Sequence, residues 1–398
     1  MELDLNIPFS KGLSDPIRAS IATAIWGEDE KSDERLERLM LFFEYYRRET
    51  MTVSLSVPKS SGLAPIQTHG ELIKFISLLK ANPQTARQQL KTLLPNATDK
   101  KNSSISIDID AALDLSVRLM FMTACRSPNA YNIVATIQIF RPKWKEQESL
   151  GEFVERVFPL CELPEQGSRN VTIRAHKLTA HYLKQYLNIQ IQWTDHLSDH
   201  LLFQKGDTWK SLYVFCHPSV LEVASKALAE YDVDTPTNTA LSLGCLRPDL
   251  LSETLRTLNL LFPQLDQKSR FLLQQDVSSK GLDPRLLVPF QPYHGYHETP
   301  RDVLLPETVR DLYERFPHWG DRLYLLWKEA EDPTPITAMG KWSESKKSPR
   351  FMYWAGVIAV SIAIFFGIVA TVLGALQVWI SYCSWTNDPT ISGCWKRP

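Results

Sequence analysis

The chain has 398 residues, room for one large or two medium domains, and its 44% apolar and 22% charged content is that of a folded body rather than a disordered one. A formal net charge of −1, with no basic run interleaved with aromatics, argues against nucleic acid as a partner.

Helical spacing begins after Ser14-Asp15-Pro16, a cap followed by a proline suited to a first helical position. Ile17, Ile21, Ala24 and Ile25 form one stripe; beyond the acidic break Glu28-Asp29-Glu30, Leu36, Leu39, Met40, Phe43 and Tyr46 form the next, to Arg48. A Ser/Pro/Gly loop at Pro58 to Pro65 precedes a helix from Glu71 to Lys80, and another is expected from Pro83 to near Pro95. Asn96 to Ser104 is polar. Residues 1–105 are thus read as an N-terminal helical region.

Residues 106–332 are read as the main body, mainly α with a small central β element. Asp108 to Thr123 is amphipathic through Ile109, Ala112, Leu113, Val117 and Met120. Ile133 to Phe140 is β-branched and predicts a strand or buried connection. Ser149 caps a short helix to Phe158, and Val171 to Tyr186 is expected to be helical. Ile189, Ile191 and Trp193 alternate as in a strand, while Leu201 to Phe203 and Leu212 to Phe215 flank the hairpin signal Lys205-Gly206-Asp207. Helices are expected at Ser219 to Glu230, Pro248 to Phe262, Asp266 to Gln275 and within Glu307 to Glu331. Pro236 to Thr239 reads as an exposed connector, and Pro284 to Pro300 as irregular chain.

Residues 333–350 form a basic Pro/Ser linker, residues 353–380 a transmembrane helix, and residues 381–398 a short tail. From Phe351 to Asn387 no side chain is charged, and a helix of about 20 apolar residues suffices to cross a bilayer core. Tyr353, Trp354, Trp379 and Tyr382 stand at its two edges, where amphipathic rings settle at headgroup depth. The membrane is therefore the one partner read directly from the chain. Lys341, Lys346, Lys347 and Arg350 precede the span, while Lys396 and Arg397 lie well beyond it. That bias predicts a cytosolic body and a lumenal or extracellular tail, with the basic residues also able to touch anionic lipid. The acidic start Met1-Glu2-Leu3-Asp4-Leu5 carries no signal-peptide pattern, so insertion is expected after synthesis, as for a tail anchor. On this topology the sequons at Asn96, Asn102 and Asn170 are idle. Cys383 and Cys394, beyond the span, form a disulfide or remain free thiols, while Cys125, Cys161, Cys216 and Cys245 read as buried thiols in a reducing compartment.

Within the span, Ala355, Ala359, Ala363, Gly367, Thr371 and Ala375 place a small residue at every fourth position, which suits pairing with a second copy or another membrane helix.

Candidate chemistry is sparse. In Asp195-His196-Leu197-Ser198-Asp199-His200, His196 and His200 stand four apart and would share a helix face as metal ligands, with Asp199 as acid or base. Against this, the segment follows a strand-like run, and a capping or solvent-facing role is the plainer reading. His294, His297 and Glu298 offer a second histidine-rich loop, and Cys216-His217-Pro218 sets a thiol beside an imidazole at a strand end, where a turn is the plainer reading. No phosphate loop, nucleophile elbow or dinucleotide fingerprint occurs. No metal, cofactor or catalytic residue is assigned.

Asp110-Ala111-Ala112-Leu113-Asp114-Leu115-Ser116-Val117-Arg118-Leu119, Ser149-Leu150-Gly151-Glu152-Phe153 leading to Phe158-Pro159, Trp193 to Leu201, and Leu325-Leu326-Trp327-Lys328-Glu329 follow one another before the aromatic-fronted span. In that order they resemble a group of uncharacterised filamentous-fungal proteins with a helical cytosolic body and a single C-terminal transmembrane helix. The resemblance implies the architecture without implying a reaction. The expectation is a membrane-anchored, non-enzymatic scaffold or interaction protein; the alternative is an anchored enzyme, metal-dependent through His196, His200 or the His294 to Glu298 loop.

Overall fold

Helix starts follow local capping chemistry. Thr68 accepts from the Glu71 amide while the Glu71 carboxylate accepts from the Thr68 amide, and Ser149 and Glu152 repeat the exchange. Each pair satisfies backbone donors that a first turn leaves open. The structure, a computed structural model, describes residues 6–54, 64–93, 107–125, 142–164, 171–232, 234–288, 305–334 and 349–386. Among the described residues helix outweighs strand 63% to 8%, so the fold is mainly helical with a small sheet. The chain divides into two compact units, Met1–Pro333 and Thr334–Pro398.

In the first unit, Ile17, Ile21 and Ile25 of the Asp15–Trp26 helix are buried, and each such aliphatic side chain contributes about 1.5–3 kcal/mol. This helix packs on His69–Ala81, whose Lys80 donates to the Ala24 and Ile25 carbonyls that the helix end leaves open. Gly244, at φ +80°, passes so close that a Cβ there would lie 1.8 Å from the Ile25 oxygen; only glycine fits. Ser32–Arg38 and Met40–Ser54 complete the N-terminal stripe that the spacing predicts. Ile109–Phe121 brings Asp110 and Asp114 to the buried Arg87, which lies over the Trp144 ring at 4.8 Å. Apolar residues from both sides of position 105 belong to one core.

The sheet holds β1 (Ile189–Thr194), β2 (Phe203–Lys205) and β3 (Lys210–Phe215) in the order β1-β3-β2. β2 and β3 form the antiparallel hairpin that Lys205-Gly206-Asp207 predicts. β1 and β3 run parallel with Thr194 opposite Phe215, so both strands end at the same edge. Arg322 donates to the Ser198 and His200 carbonyls between β1 and β2, and Lys210 pairs with the buried Glu329 at 2.8 Å. The Gly320–Glu331 helix is thereby tied to the sheet.

Four local expectations are corrected. Val171 to Arg174 is extended rather than helical: Ile173 donates to the Glu307 carbonyl and Val309 to the Val171 carbonyl. The β-branched run finds a partner strand segment there, and helix begins only at Ala175–Leu178 (3-10) and Ala180–Leu187. The helix expected from Pro83 starts at Arg87 and runs to Leu93. Pro236 to Thr239 is the start of a short helix, Thr237–Ser242, with Thr237 buried. Pro284 to Leu287 is a 3-10 turn capped by Asp283. Ile133 to Phe140 and Asn96 to Ser104 lie outside the described residues.

In the second unit, one helix runs Pro349–Thr386. Gly356–Trp385 within it contains an 18-residue window of mean hydropathy 2.6, none of it buried, and is long and apolar enough to cross a membrane.

Candidate functional site

The parallel pairing of β1 and β3 decides where the most reactive residue types meet. Asp195 follows β1 directly, and Cys216-His217 follows β3. The Cys216 amide donates to the Thr194 carbonyl at 3.1 Å, which locks the two strand ends together. Across this edge His217 Nε2 and Asp195 Oδ1 are 2.7 Å apart, and the Cys216 thiol reaches the same oxygen at 3.7 Å. Arg48, from Met40–Ser54, holds the other oxygen of the carboxylate. The His217 ring lies between Tyr45 and Phe215, with centroids 6.3 and 5.7 Å away. His217 and Cys216 are buried, whereas the Asp195 side chain is 33% exposed, leaving one side of the cluster open.

Electrostatics separates the roles. Burial pulls the Asp195 carboxyl up, but the His217 hydrogen bond and the charges of His217, Arg48 and His196 outweigh it and hold the group down at about 2. Burial, and then the Asp195 charge, push the Cys216 thiol far above its ordinary range. Cys216 is therefore held as a neutral thiol that faces a carboxylate. The donor atoms of Asp195, Cys216 and His217 lie within 4.8 Å of one another, a set able to hold a cation.

Among the residues singled out from sequence, His196 and His200 do not share a helix face, because Leu197–Asp199 is a single 3-10 turn. His200 is fully buried; its Nδ1 accepts from the Phe215 amide at 3.2 Å and its Nε2 meets the Thr257 hydroxyl at 2.7 Å. With both nitrogens engaged it is a core residue, and burial, aided by the Arg322 charge, pushes its pKa down to about 3. His196 turns its ring edge-on to Tyr45 at 6.0 Å. Asp199 is buried with the Arg322 charge acting beside it. The second histidine loop, His294, His297 and Glu298, lies outside the described residues, as do Lys341, Lys346, Lys347, Cys394 and the sequons Asn96, Asn102 and Asn170. Arg350 is in the long helix.

Ala355, Ala359, Ala363, Gly367, Thr371 and Ala375 are all helical in backbone. At about 100° per residue, each step of four advances about 40°, so the six positions wind around the helix and only three or four neighbours can face one straight partner. Cys383, within the last turn, is disulfide-bonded, whereas Cys125, Cys161, Cys216 and Cys245 are free.

A second polar cluster was not legible in the sequence. His318 reaches the Phe158 carbonyl through Nδ1 at 3.2 Å and Asp249 through Nε2 at 3.3 Å. Two acceptors on two nitrogens favour the imidazolium; burial opposes it, but the Asp249 hydrogen bond and the Glu253 charge raise its pKa. Glu253, fully buried, accepts from the His318 and Trp319 amides. Burial outweighs the opposing His318 charge and these amides, and lifts the Glu253 pKa to about 7. His318 and Arg247 line a cleft of about 400 Å³ with Phe158, Pro159, Leu160 and Leu250. Arg247-Pro248-Asp249 and His318-Trp319 come from distant segments, so no local spacing announces them. The chain matches no protein-family model, no curated protein and no solved structure.

Proposed function

We propose that this chain is a single-pass membrane-anchored interaction protein, with a cytosolic body and a lumenal or extracellular tail, akin to the filamentous-fungal proteins it resembles. The carrying observation is the split in thiol chemistry. Cys383, at the tail end of the apolar helix, is in a disulfide, while the four described cysteines of the body are free. Disulfides persist in oxidising spaces and are rare in the cytosol, so the bonded Cys383 supports a lumenal or extracellular tail. The basic residues before the span favour the same orientation. An interaction role fits His200, whose two ring nitrogens are both taken up inside the core, and three or four neighbouring positions of the small-residue strip offer a contact for a second membrane helix.

A glycosylation acceptor appended after Pro398 should be modified in cells, with Asn96 and Asn170 left bare. Modification at Asn96 or Asn170 instead would invert the orientation. The competing reading, an anchored enzyme, draws on the Arg247–His318 cleft. It gains ground if a screen of small carboxylates raises the melting temperature of the wild type but not of an Arg247→Ala variant.

A further inference from the structure

We propose that Asp195, Cys216 and His217 bind a thiophilic divalent cation of the zinc class, with one coordination position open to solvent or to a ligand. This stands on the geometry of the strand ends and is independent of the anchored-scaffold reading.

The donor set is a carboxylate oxygen, an imidazole nitrogen and a sulfur. Such a mixture suits zinc and its neighbours, whereas magnesium and calcium call for oxygen alone. Bond lengths of about 2.0 Å to oxygen and 2.3 Å to sulfur at a tetrahedral centre place those two atoms about 3.5 Å apart. Asp195 Oδ1 and Cys216 Sγ stand 3.7 Å apart, already close to that separation. The same centre separates oxygen and imidazole nitrogen by about 3.3 Å. Asp195 Oδ1 and His217 Nε2 are held at 2.7 Å by the hydrogen bond that a metal replaces, so the pair opens by about 0.6 Å on binding.

Charge and support agree with the distances. A Cys216 thiolate and the Asp195 carboxylate together carry the two negative charges that balance a divalent ion, with His217 neutral. On binding, the thiol proton leaves to solvent and the neutral imidazole takes the tautomer with its hydrogen on Nδ1, which frees the Nε2 lone pair for the metal. Arg48 occupies the other carboxylate oxygen, leaving Oδ1 for the cation and fixing the carboxylate plane. Tyr45 and Phe215 hold the imidazole ring, and the Cys216–Thr194 backbone bond sets the spacing of the two ligand segments. Three ligands from the protein, with Asp195 partly exposed, describe a site that keeps a fourth position open, as catalytic zinc centres do.

The test uses the full-length protein in detergent micelles with the tail disulfide intact, titrated with Co2+ as a spectroscopic stand-in for zinc. One cobalt per chain is expected, with a thiolate-to-metal charge-transfer band. Cys216→Ser should abolish the band, and Arg48→Ala should keep it while weakening affinity about 10–100-fold. Cys245→Ser, a thiol bonded to the Ala224 carbonyl elsewhere in the core, should change neither. If Cys216→Ser fails to fold, Asp195→Asn keeps the thiol and should lower affinity by more than Arg48→Ala does. Absence of the band in the wild type at saturating cobalt, or an unchanged band in Cys216→Ser, overturns the proposal and leaves an ion pair only. Affinity in Asp195→Asn equal to that of the wild type overturns it as well.

Discussion

The body and the Pro349–Thr386 helix solve the same solvation problem in opposite ways. In the body, Ile21, Ile25 and Phe153 are hidden, and buried charges such as Arg87, Lys210 and Glu253 each meet hydrogen-bonding or ionic partners. In the long helix, Phe365, Phe366 and Val378 are 63%, 64% and 70% exposed, and no charged side chain interrupts the stretch Phe351 to Asn387. One region removes apolar surface from water by folding on itself. The other presents its apolar side chains outward, and that surface calls for a different solvent. The difference shows that an all-round apolar helix is compatible with a buried core or a membrane span, and that its exposure, not its hydrophobicity, sets this one apart from the body's helices.

Breaking the body's half of this comparison should have the largest effect. Arg87→Ala leaves Asp110 and Asp114 without their buried cation, and removing one partner of a buried pair costs about 3–5 kcal/mol. Denaturant unfolding followed by Trp fluorescence should show a loss of that order; a loss under about 1 kcal/mol would mean that the network is solvated and the body is less tightly closed than described. The helix should respond differently, by depth. Ile368→Arg, mid-helix, should raise the apparent insertion free energy by about 2.5–3.5 kcal/mol, while Tyr382→Arg at the edge should cost far less. Equal costs at both positions would remove the spanning reading.

A third measurement sharpens the contrast between paired and penalised charge. The Glu253 pKa is raised to about 7 from an ordinary 4.5, so the folded state holds its proton more tightly than the unfolded chain does. Its contribution to stability is present below about 4.5 and is lost as pH rises through about 7. The slope reaches at most about 1.4 kcal/mol per pH unit for one proton. Glu253→Gln keeps Oε1, which accepts from both the His318 and Trp319 amides, and should flatten the pH dependence between 5 and 8. An unchanged slope in that variant would place the titration elsewhere. The smallest effect belongs to a cap: Ser149→Ala should cost about 1 kcal/mol, read from the unfolding midpoint, by leaving the Glu152 amide without its acceptor.

Much of the architecture lies in short-range signals. Thr68-x-x-Glu71 and Ser149-x-x-Glu152 announce helix starts because the bonded groups sit three residues apart. The hairpin around Gly206 and the uncharged run after Arg350 are legible for the same reason: each depends on composition within one segment. Val171 to Arg174 fails that logic, because its β-branched residues take their hydrogen bonds from Glu307 to Val309, far along the chain. His196 and His200 fail it too. Four residues apart suggests one helix face, but a 3-10 turn and the Arg322 contacts send His200 into the core.

By itself, the sequence determined a mainly helical body, a small β element and a helix able to cross a membrane, since capping, period and apolar length act over a few residues. Only the tertiary structure decided that β1 and β3 run parallel and end together. That register carries Asp195 to Cys216 and His217, and Arg48 to the same carboxylate from a distant helix. Strand direction follows from how the whole sheet is packed, and no property of either segment alone records it.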